Sequence, residues 1–270
     1  MINKINKFFK NNEFSPSKQR GQNFLIDQNI INKIVQSVVD INPSKVLEIG
    51  PGMGAISEQL VKKYLDNYRA IELDKKLFHY LNDGILSQRV LHNDALEIDW
   101  ESIFDHLGDN PTMVGNLPYN ISSKLIKKFI LSNYRRAIIM VQKEMGLRLL
   151  AKINSKDYSA FSALCQYSLN VSKIIEINET AFIPQPKVKS TLLLLEKKDI
   201  AFNEGYEKFL KLIFLQRRKT ILNNLKNNYD PKLVLQSLNT LNFKETTRAQ
   251  ELSPQHLFSL YESLSKLCQS

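Results

Sequence analysis

The strongest constraint on the fold of this chain is a succession of four short apolar runs, each ending in a glycine, an acid or an amide. Val46-Leu47-Glu48-Ile49 runs into Gly50-Pro51-Gly52-Met53-Gly54, after which Ile56, Leu60 and Val61 recur at helical spacing. A strand, a glycine loop and a helix in that order let backbone approach a ligand closely at a helix N-terminus. The spacing G-x-G-x-G departs from the dinucleotide fingerprint G-x-G-x-x-G. Tyr68-Arg69-Ala70-Ile71 then ends in Glu72, Arg89-Val90-Leu91-His92 in Asn93-Asp94-Ala95, and Thr112-Met113-Val114-Gly115 in Asn116. Successive strands of this kind predict an α/β sheet that delivers Gly50, Glu72, Asp94 and Asn116 to its carboxyl edge, where open sheets bind ligands. An acid in the position of Glu72 accepts from both hydroxyls of a ribose, and Asp94 then lies beside an adenine. Asp74 reads as solvated. Taken singly, each acid is more often a helix cap or a surface group; the ordered set reads as a site.

The fourth strand leads into Asn116-Leu117-Pro118-Tyr119. Adenine presents N6 as a two-hydrogen donor. The Asn116 Oδ1 and a backbone carbonyl of the Leu117-Pro118 turn can accept both hydrogens while Tyr119 stacks on the ring. Proline pushes Leu117 to extended geometry and removes a competing N–H. The N6 lone pair is delocalised into the purine, so a bare adenine amine is a poor nucleophile toward the sulfonium methyl of S-adenosylmethionine. Two acceptors favour a pyramidal nitrogen, and positioning then matters more than a strong general base. A strand ending in a proline turn with a buried tyrosine is the plainer reading of these four letters. A nicotinamide-dependent oxidoreductase also uses a glycine loop and a ribose acid; the third acid and the Asn-Leu-Pro-Tyr turn argue against it.

Six segments in order carry a resemblance along most of the chain. They are Gly21-Gln22-Asn23-Phe24-Leu25, Glu48-Ile49-Gly50-Pro51-Gly52, Ile71-Glu72-Leu73-Asp74, Asn93-Asp94-Ala95, Gly115 through Ser122, and Phe182-Ile183-Pro184-Gln185-Pro186-Lys187-Val188-Lys189-Ser190. The chain resembles the ribosomal RNA adenine N6,N6-dimethyltransferases, in particular the bacterial small-subunit type. That resemblance implies a Rossmann-like S-adenosylmethionine-dependent fold. It implies that Asn23, Leu25, Gly50, Gly52, Glu72, Asp94 and Asn116 hold the cofactor, and that Asn116, Leu117, Pro118, Tyr119 and Phe182 form the catalytic pocket, the flipped base lying between Tyr119 and Phe182. A core aromatic at a strand edge is the bland alternative for Phe182. The implied substrate is 16S rRNA on an assembling small subunit, at two adjacent adenosines of the 3′-terminal hairpin loop. The large-subunit enzymes of the antibiotic-resistance type share several of these motifs. Phe214 through Leu222 and Arg248-Ala249-Gln250-Glu251-Leu252-Ser253 look like the small-subunit enzymes, with Gln250 standing where that pattern has an acid. DNA and protein-glutamine methyltransferases use a similar turn, usually Asn-Pro-Pro-Tyr, without the Phe-x-Pro-x-Pro loop. A ribosome-assembly factor whose main task is binding is the rival of a different class.

The 270 residues suffice for one α/β domain and a small second one, and 43% apolar content supports a core. A net charge of +10 favours a polyanionic partner. Lys4, Lys7, Lys10, Lys18 and Arg20 face only Glu13 across the first 22 residues, which suggests an RNA-contacting arm. Lys124, Lys127, Lys128, Arg135, Arg136 and Lys143 follow the Asn116 turn with no intervening acid and are candidates for phosphate contacts. Lys187, Arg217, Arg218, Lys219 and Arg248 complete the candidate RNA-binding set. Plain solvation accounts equally well for any one of these cations. Cys165 and Cys268 stand far apart and the four histidines scatter, so we expect no metal and a reducing compartment. With no apolar signal core and no run near 18 apolar residues, the expectation is a cytoplasmic protein without a membrane segment. Nothing in the sequence calls for an obligate dimer.

Helical spacing at Ile30, Ile31, Ile34, Val35, Val38 and Val39 predicts a helix before the first strand. Ala137 to Val141, Val171 to Ile177 and Thr191 to Leu195 bring the expected sheet to seven strands, the last two joined by the Phe182 loop. Beyond Lys198, Phe209 to Leu225, Pro231 to Leu238 and Pro254 to Leu267 read as helices. The expected division is therefore 1–198, a methyltransferase domain with a basic arm, and 199–270, an α-helical domain for RNA recognition that forms one wall of a cleft.

Overall fold

Each apolar run named above becomes a strand, most fully buried in β2, β3, β5 and β6, and the intervening amphipathic segments become the helices that connect them. The computed structural model describes residues 1–17 and 21–268. Lys18 and Arg20, both expected to contact RNA, lie outside the described residues. In chain order the strands are β1 Phe24–Leu25, β2 Lys45–Ile49, β3 Tyr68–Glu72, β4 Val90–His92, β5 Pro111–Asn116, β6 Arg136–Gln142, β7 Leu169–Ile177, β8 Phe182–Ile183 and β9 Ser190–Lys197. The helices are α1 Ile2–Asn11, α2 Gln28–Asp40, α3 Ser57–Tyr64, α4 Lys75–Asn82, α5 Ser122–Leu131, α6 Lys143–Leu149, α7 Ala160–Ser168, α8 Glu204–Ile213, α9 Ile221–Leu225, α10 Pro231–Thr240 and α11 Pro254–Leu267.

Seven strands form one sheet in the order β4-β3-β2-β5-β6-β9-β7, and β1 pairs with β8 in a separate two-stranded ribbon. The strands from β4 to β6 are parallel to their neighbours, and β9 returns antiparallel to β6. Parallel neighbours need crossover connections, which is why α3, α4 and α5 fall between them. The carboxyl ends of β2, β3, β4 and β5 consequently share one edge. The chain divides into two units, one made of residues 1–146 with 171–197, the other of 147–170 with 198–270.

Two expectations for the first unit are corrected. The supposed basic arm is helix α1, whose Ile5 and Phe8 are buried with Phe14, Phe24, Met53 and Leu77. Lys4 pairs with Glu58 and lies over the Tyr80 ring. Asp74 is not merely solvated: its Oδ1 caps α4 through the N–H groups of Lys76 and Leu77, and its Oδ2 accepts from Gln22 Nε2 at 3.2 Å.

In the second unit, Tyr158, Ala163 and Leu164 pack with Tyr206, Phe209, Leu210 and Ile213 and with Leu257, Leu260 and Leu264. That shared core draws residues 147–170 into this unit, a correction to the division at residue 198. The expected helix Phe209 to Leu225 is two helices, α8 and α9. Between them Asn224 Nδ2 donates to the carbonyls of Ile213 and Gln216, and Thr220 starts α9 by accepting from Asn223 N–H. Side chains that satisfy end groups stop one helix and restart the next.

Candidate active site

At the carboxyl edge of the sheet a cavity of about 180 Å³ is lined by Asn23, Gly50, Gly52, Glu72, Asp94 and Asn116, together with Gln22, Phe24, Leu73, Asn93 and Pro118. Six of the seven residues expected to hold a cofactor thus meet around one space. The seventh, Leu25, borders a smaller cavity of about 40 Å³ beside it, shared with Asn23, Gly50, Gly52 and Asn116.

Glycine is required where the loop turns. Gly52 has φ +61, and a Cβ on it would stand 3.1 Å from the Phe24 ring; side chains rarely adopt that backbone. Its N–H donates to Glu72 Oε2 at 3.1 Å, while Asp74 N–H donates to Oε1 at 2.9 Å. These two bonds fix the carboxylate and leave it further lone pairs. Burial nonetheless dominates and raises the Glu72 pKa to about 7. Asp94 uses Oδ1 to accept from Leu96 N–H at 2.8 Å, and its own N–H is held by Asn93 Oδ1.

Glu48 was not singled out by the sequence and is buried beneath the loop. Its Oε2 accepts from Ser57 Oγ at 2.8 Å and Tyr68 Oη at 2.5 Å. Desolvation outweighs both donors and lifts its pKa to about 7. Gln22 was quoted only as part of a segment; it lines the cavity and joins Ser17 to Asp74. An amide among five residues carries no periodic signal of that role.

Asn116 closes the edge. Its Nδ2 donates to the Asn23 carbonyl at 3.0 Å, and its Oδ1 is buried with no hydrogen-bond partner. Because a carbonyl must face the amide nitrogen, the free acceptor is fixed as oxygen. Gly115 makes room for this strand end: a Cβ there would lie 2.6 Å from the Ile49 carbonyl oxygen. Leu117 is 1% exposed and its N–H is bound by the Met140 carbonyl. The Pro118 carbonyl accepts from Ile121 N–H at 3.2 Å. Tyr119 is partly buried with its hydroxyl 3.4 Å from Ser190 Oγ. Burial raises its pKa, against the smaller opposing effect of Ser190.

Phe182 departs from expectation. It is 2% exposed and packs in the main core with Leu25, Ile177, Ala181 and Leu192. It forms the β1–β8 ribbon opposite Leu25. This burial favours a floor that anchors the ribbon over an open wall of the target pocket.

The candidate RNA-binding cations separate in the same way. Lys124, Lys187, Arg218, Lys219 and Arg248 are exposed, and Lys127 is partly so. Lys128 instead donates to the carbonyls of Leu96 and Ile98 at 2.8 and 2.6 Å and sits over Trp100. Arg136 pairs with Glu196. Arg217 donates to the carbonyls of Ser155 and Lys156. Lys128 and Arg217 thus spend donors on internal carbonyls, which favours internal ties over the expected RNA contacts. Among the described residues no three His, Cys, Asp or Glu side chains gather as metal ligands, and no helix is long and apolar enough to cross a membrane.

A mostly parallel sheet with a glycine loop, an acid at the next strand end and an Asn-Leu-Pro-Tyr turn has the layout of a Rossmann-like methyltransferase. Residues 13–266 match the family described as ribosomal RNA adenine dimethylase, and the chain belongs to that family. It is 86% identical over 268 residues to the ribosomal RNA small subunit methyltransferase A of Mycoplasmoides gallisepticum, covering 99% of this chain and 100% of that protein. Among solved structures, a dimethyladenosine transferase from Plasmodium falciparum superimposes with a TM-score of 0.76 at 25% identity, over 90% of this chain and 98% of that one. The 23S rRNA methyltransferase ErmE shares the fold at a TM-score of 0.63 and 22% identity, over 90% of this chain and all of that one.

Proposed function

We propose that this enzyme uses two molecules of S-adenosylmethionine per adenosine to make N6,N6-dimethyladenosine in small-subunit ribosomal RNA, at two adjacent adenosines of the 3′-terminal hairpin loop of 16S rRNA. The observation that carries this reading is the buried, unpartnered Asn116 Oδ1. An orphaned acceptor of this kind costs about 1–3 kcal/mol, a penalty that an incoming amine N–H removes. The similarity to a small subunit methyltransferase supports the choice of subunit.

The residues present fit the cofactor. Glu72 has lone pairs left for ribose hydroxyls, Asp94 Oδ2 has no partner among the described residues, and the positive-φ glycines bring backbone to the cavity. Bound there, S-adenosylmethionine supplies an electrophilic methyl group. The chain's own residues do the rest: Asn116 Oδ1 and the Leu117 carbonyl accept the two N6 hydrogens, Tyr119 stacks on the purine, and Phe182 holds the ribbon from below. Localising the N6 lone pair in this way substitutes for a strong base. A base in a hairpin loop costs little to extrude.

The test is to incubate the protein and S-adenosylmethionine with unmethylated small or large ribosomal subunits and quantify N6,N6-dimethyladenosine by mass spectrometry after digestion. Product from the small subunit alone is the expected outcome. Product from the large subunit assigns the resistance-type activity, and product from neither leaves a binding role.

A further inference from the structure

Three lysines surround one carboxylate at the end of β6. Lys143 Nζ lies 3.2 Å from Glu176 Oε2, Lys173 Nζ 3.7 Å from the same oxygen, and Lys189 Nζ 3.4 Å from Oε1. All four side chains remain between 30 and 46% exposed. One cation suffices to pair a surface carboxylate, and such pairs contribute little. Gathering three leaves a local charge of +2 whose members repel one another, an arrangement that an external anion relieves.

The position of the cluster identifies that anion. Lys143 follows β6 directly and Lys189 precedes β9; their backbones are joined by Lys143 N–H to the Lys189 carbonyl at 2.9 Å. The register pairs Gln142 with Ser190 and Met140 with Asn116. β6 is parallel to β5, so Lys143 and Lys189 occupy the same sheet edge as the Asn116 turn. Ser190, next to Lys189, meets the Tyr119 hydroxyl. The cationic group therefore begins one residue from the side chain that touches the stacking aromatic.

We propose that Lys143, Lys173 and Lys189, gathered by Glu176, form a cradle for the RNA phosphates flanking the target adenosine. This rests on the reading of the chain as an RNA adenine methyltransferase. Glu176 acts as a positioning residue: it holds three flexible ammonium groups together, and its single negative charge leaves two of them uncompensated. Ammonium groups bind phosphate as point charges without reading sequence, so the cradle sets where the strand lies while the Asn116 turn selects the base.

The full-length protein tests this with a Lys143→Gln, Lys173→Gln, Lys189→Gln triple variant, a single Lys173→Gln variant and Glu176→Gln. For each, the affinity for unmethylated small subunits is measured against salt, with kcat at saturating subunit and S-adenosylhomocysteine binding as controls. The triple variant is expected to weaken RNA binding and flatten the slope of log affinity against log salt by about two, with kcat and S-adenosylhomocysteine affinity within about twofold of the parent. Lys173→Gln is expected to flatten the slope by a little under one, and Glu176→Gln to steepen it by about as much. Unchanged slopes in the triple variant overturn the cradle. If the triple variant loses S-adenosylhomocysteine binding and so has misfolded, an unchanged slope for Lys173→Gln overturns it instead. A parent protein that methylates neither subunit fails the underlying reading, a result separate from either slope.

Discussion

The Asn116 amide nitrogen donates to the Asn23 carbonyl at 3.0 Å, and this one bond orients the opposite face of the amide, the orphaned Oδ1, without help from a base. The N-terminal segment thus aims the Asn116 turn. Replacing Asn116 with Ala removes the acceptor and is expected to lower kcat by about 100- to 1000-fold. S-adenosylhomocysteine affinity, measured by calorimetry, should fall far less. Near-normal turnover would refute the role given to Asn116.

Glu72 is expected to make cofactor binding pH-dependent. Its folded pKa is about 7 against an ordinary 4.5, so below pH 7 the ligand-free protein holds a proton that a carboxylate accepting two hydroxyls must release. S-adenosylhomocysteine affinity should rise between pH 6 and 8, with proton release detected by calorimetry in buffers of different ionisation enthalpy. Stability runs the other way. A raised carboxyl pKa contributes stability that is complete below about 4.5 and lost as pH rises through 7. Glu72→Gln should abolish the proton release and remove part of that stability loss, the remainder belonging to Glu48, which titrates in the same window.

Phe182 distinguishes a floor from a wall. As a core residue, Phe182→Ala should cost about 3–5 kcal/mol, whereas Phe182→Leu should cost about 1 kcal/mol and keep most of its turnover. A Phe182→Leu protein that is stable by thermal unfolding yet has lost its kcat would restore the ring to the target pocket.

Lys128 and Lys124 lie one helical turn apart and should behave differently. Lys128→Met strips the donor from two carbonyls and is expected to lower stability by about 1–2 kcal/mol with no change in the salt dependence of RNA binding. Lys124→Met should leave the melting temperature within error. A reduced salt slope for Lys128→Met would return that residue to the RNA-binding set.

Much of the sheet was legible because short apolar runs ending in Gly50, Glu72, Asp94 and Asn116 alternate with amphipathic helical segments, the pattern of a parallel α/β sheet. The same logic brought Gly50, Glu72, Asp94 and Asn116 to one cavity, while Asn23 was expected there only from the family resemblance. What was hidden depends on partners remote in sequence. Lys128 looks like any surface lysine until the Leu96 and Ile98 carbonyls arrive beneath it. Phe182 cannot be sorted into core or pocket from its neighbours in the chain, since its burial is decided by Leu25, more than 150 residues away. The break between α8 and α9 turns on Asn224, whose side chain reaches back to Ile213 and Gln216. Helix α1 did carry a signal, Ile2, Ile5, Phe8 and Phe9 at helical spacing, but its lysines suggested an RNA-contacting arm.

The Phe24 ring borders the cavity on one side and packs against Phe9 and Phe14 on the other. Docking of the first helix and occupancy of the cavity are therefore thermodynamically linked, each drawing on the same ring. Fraying of the N-terminus is expected to register as weaker cofactor affinity, and cofactor in turn to shield the first dozen residues from proteases. A tag or truncation at that end should then behave as a change in the active site.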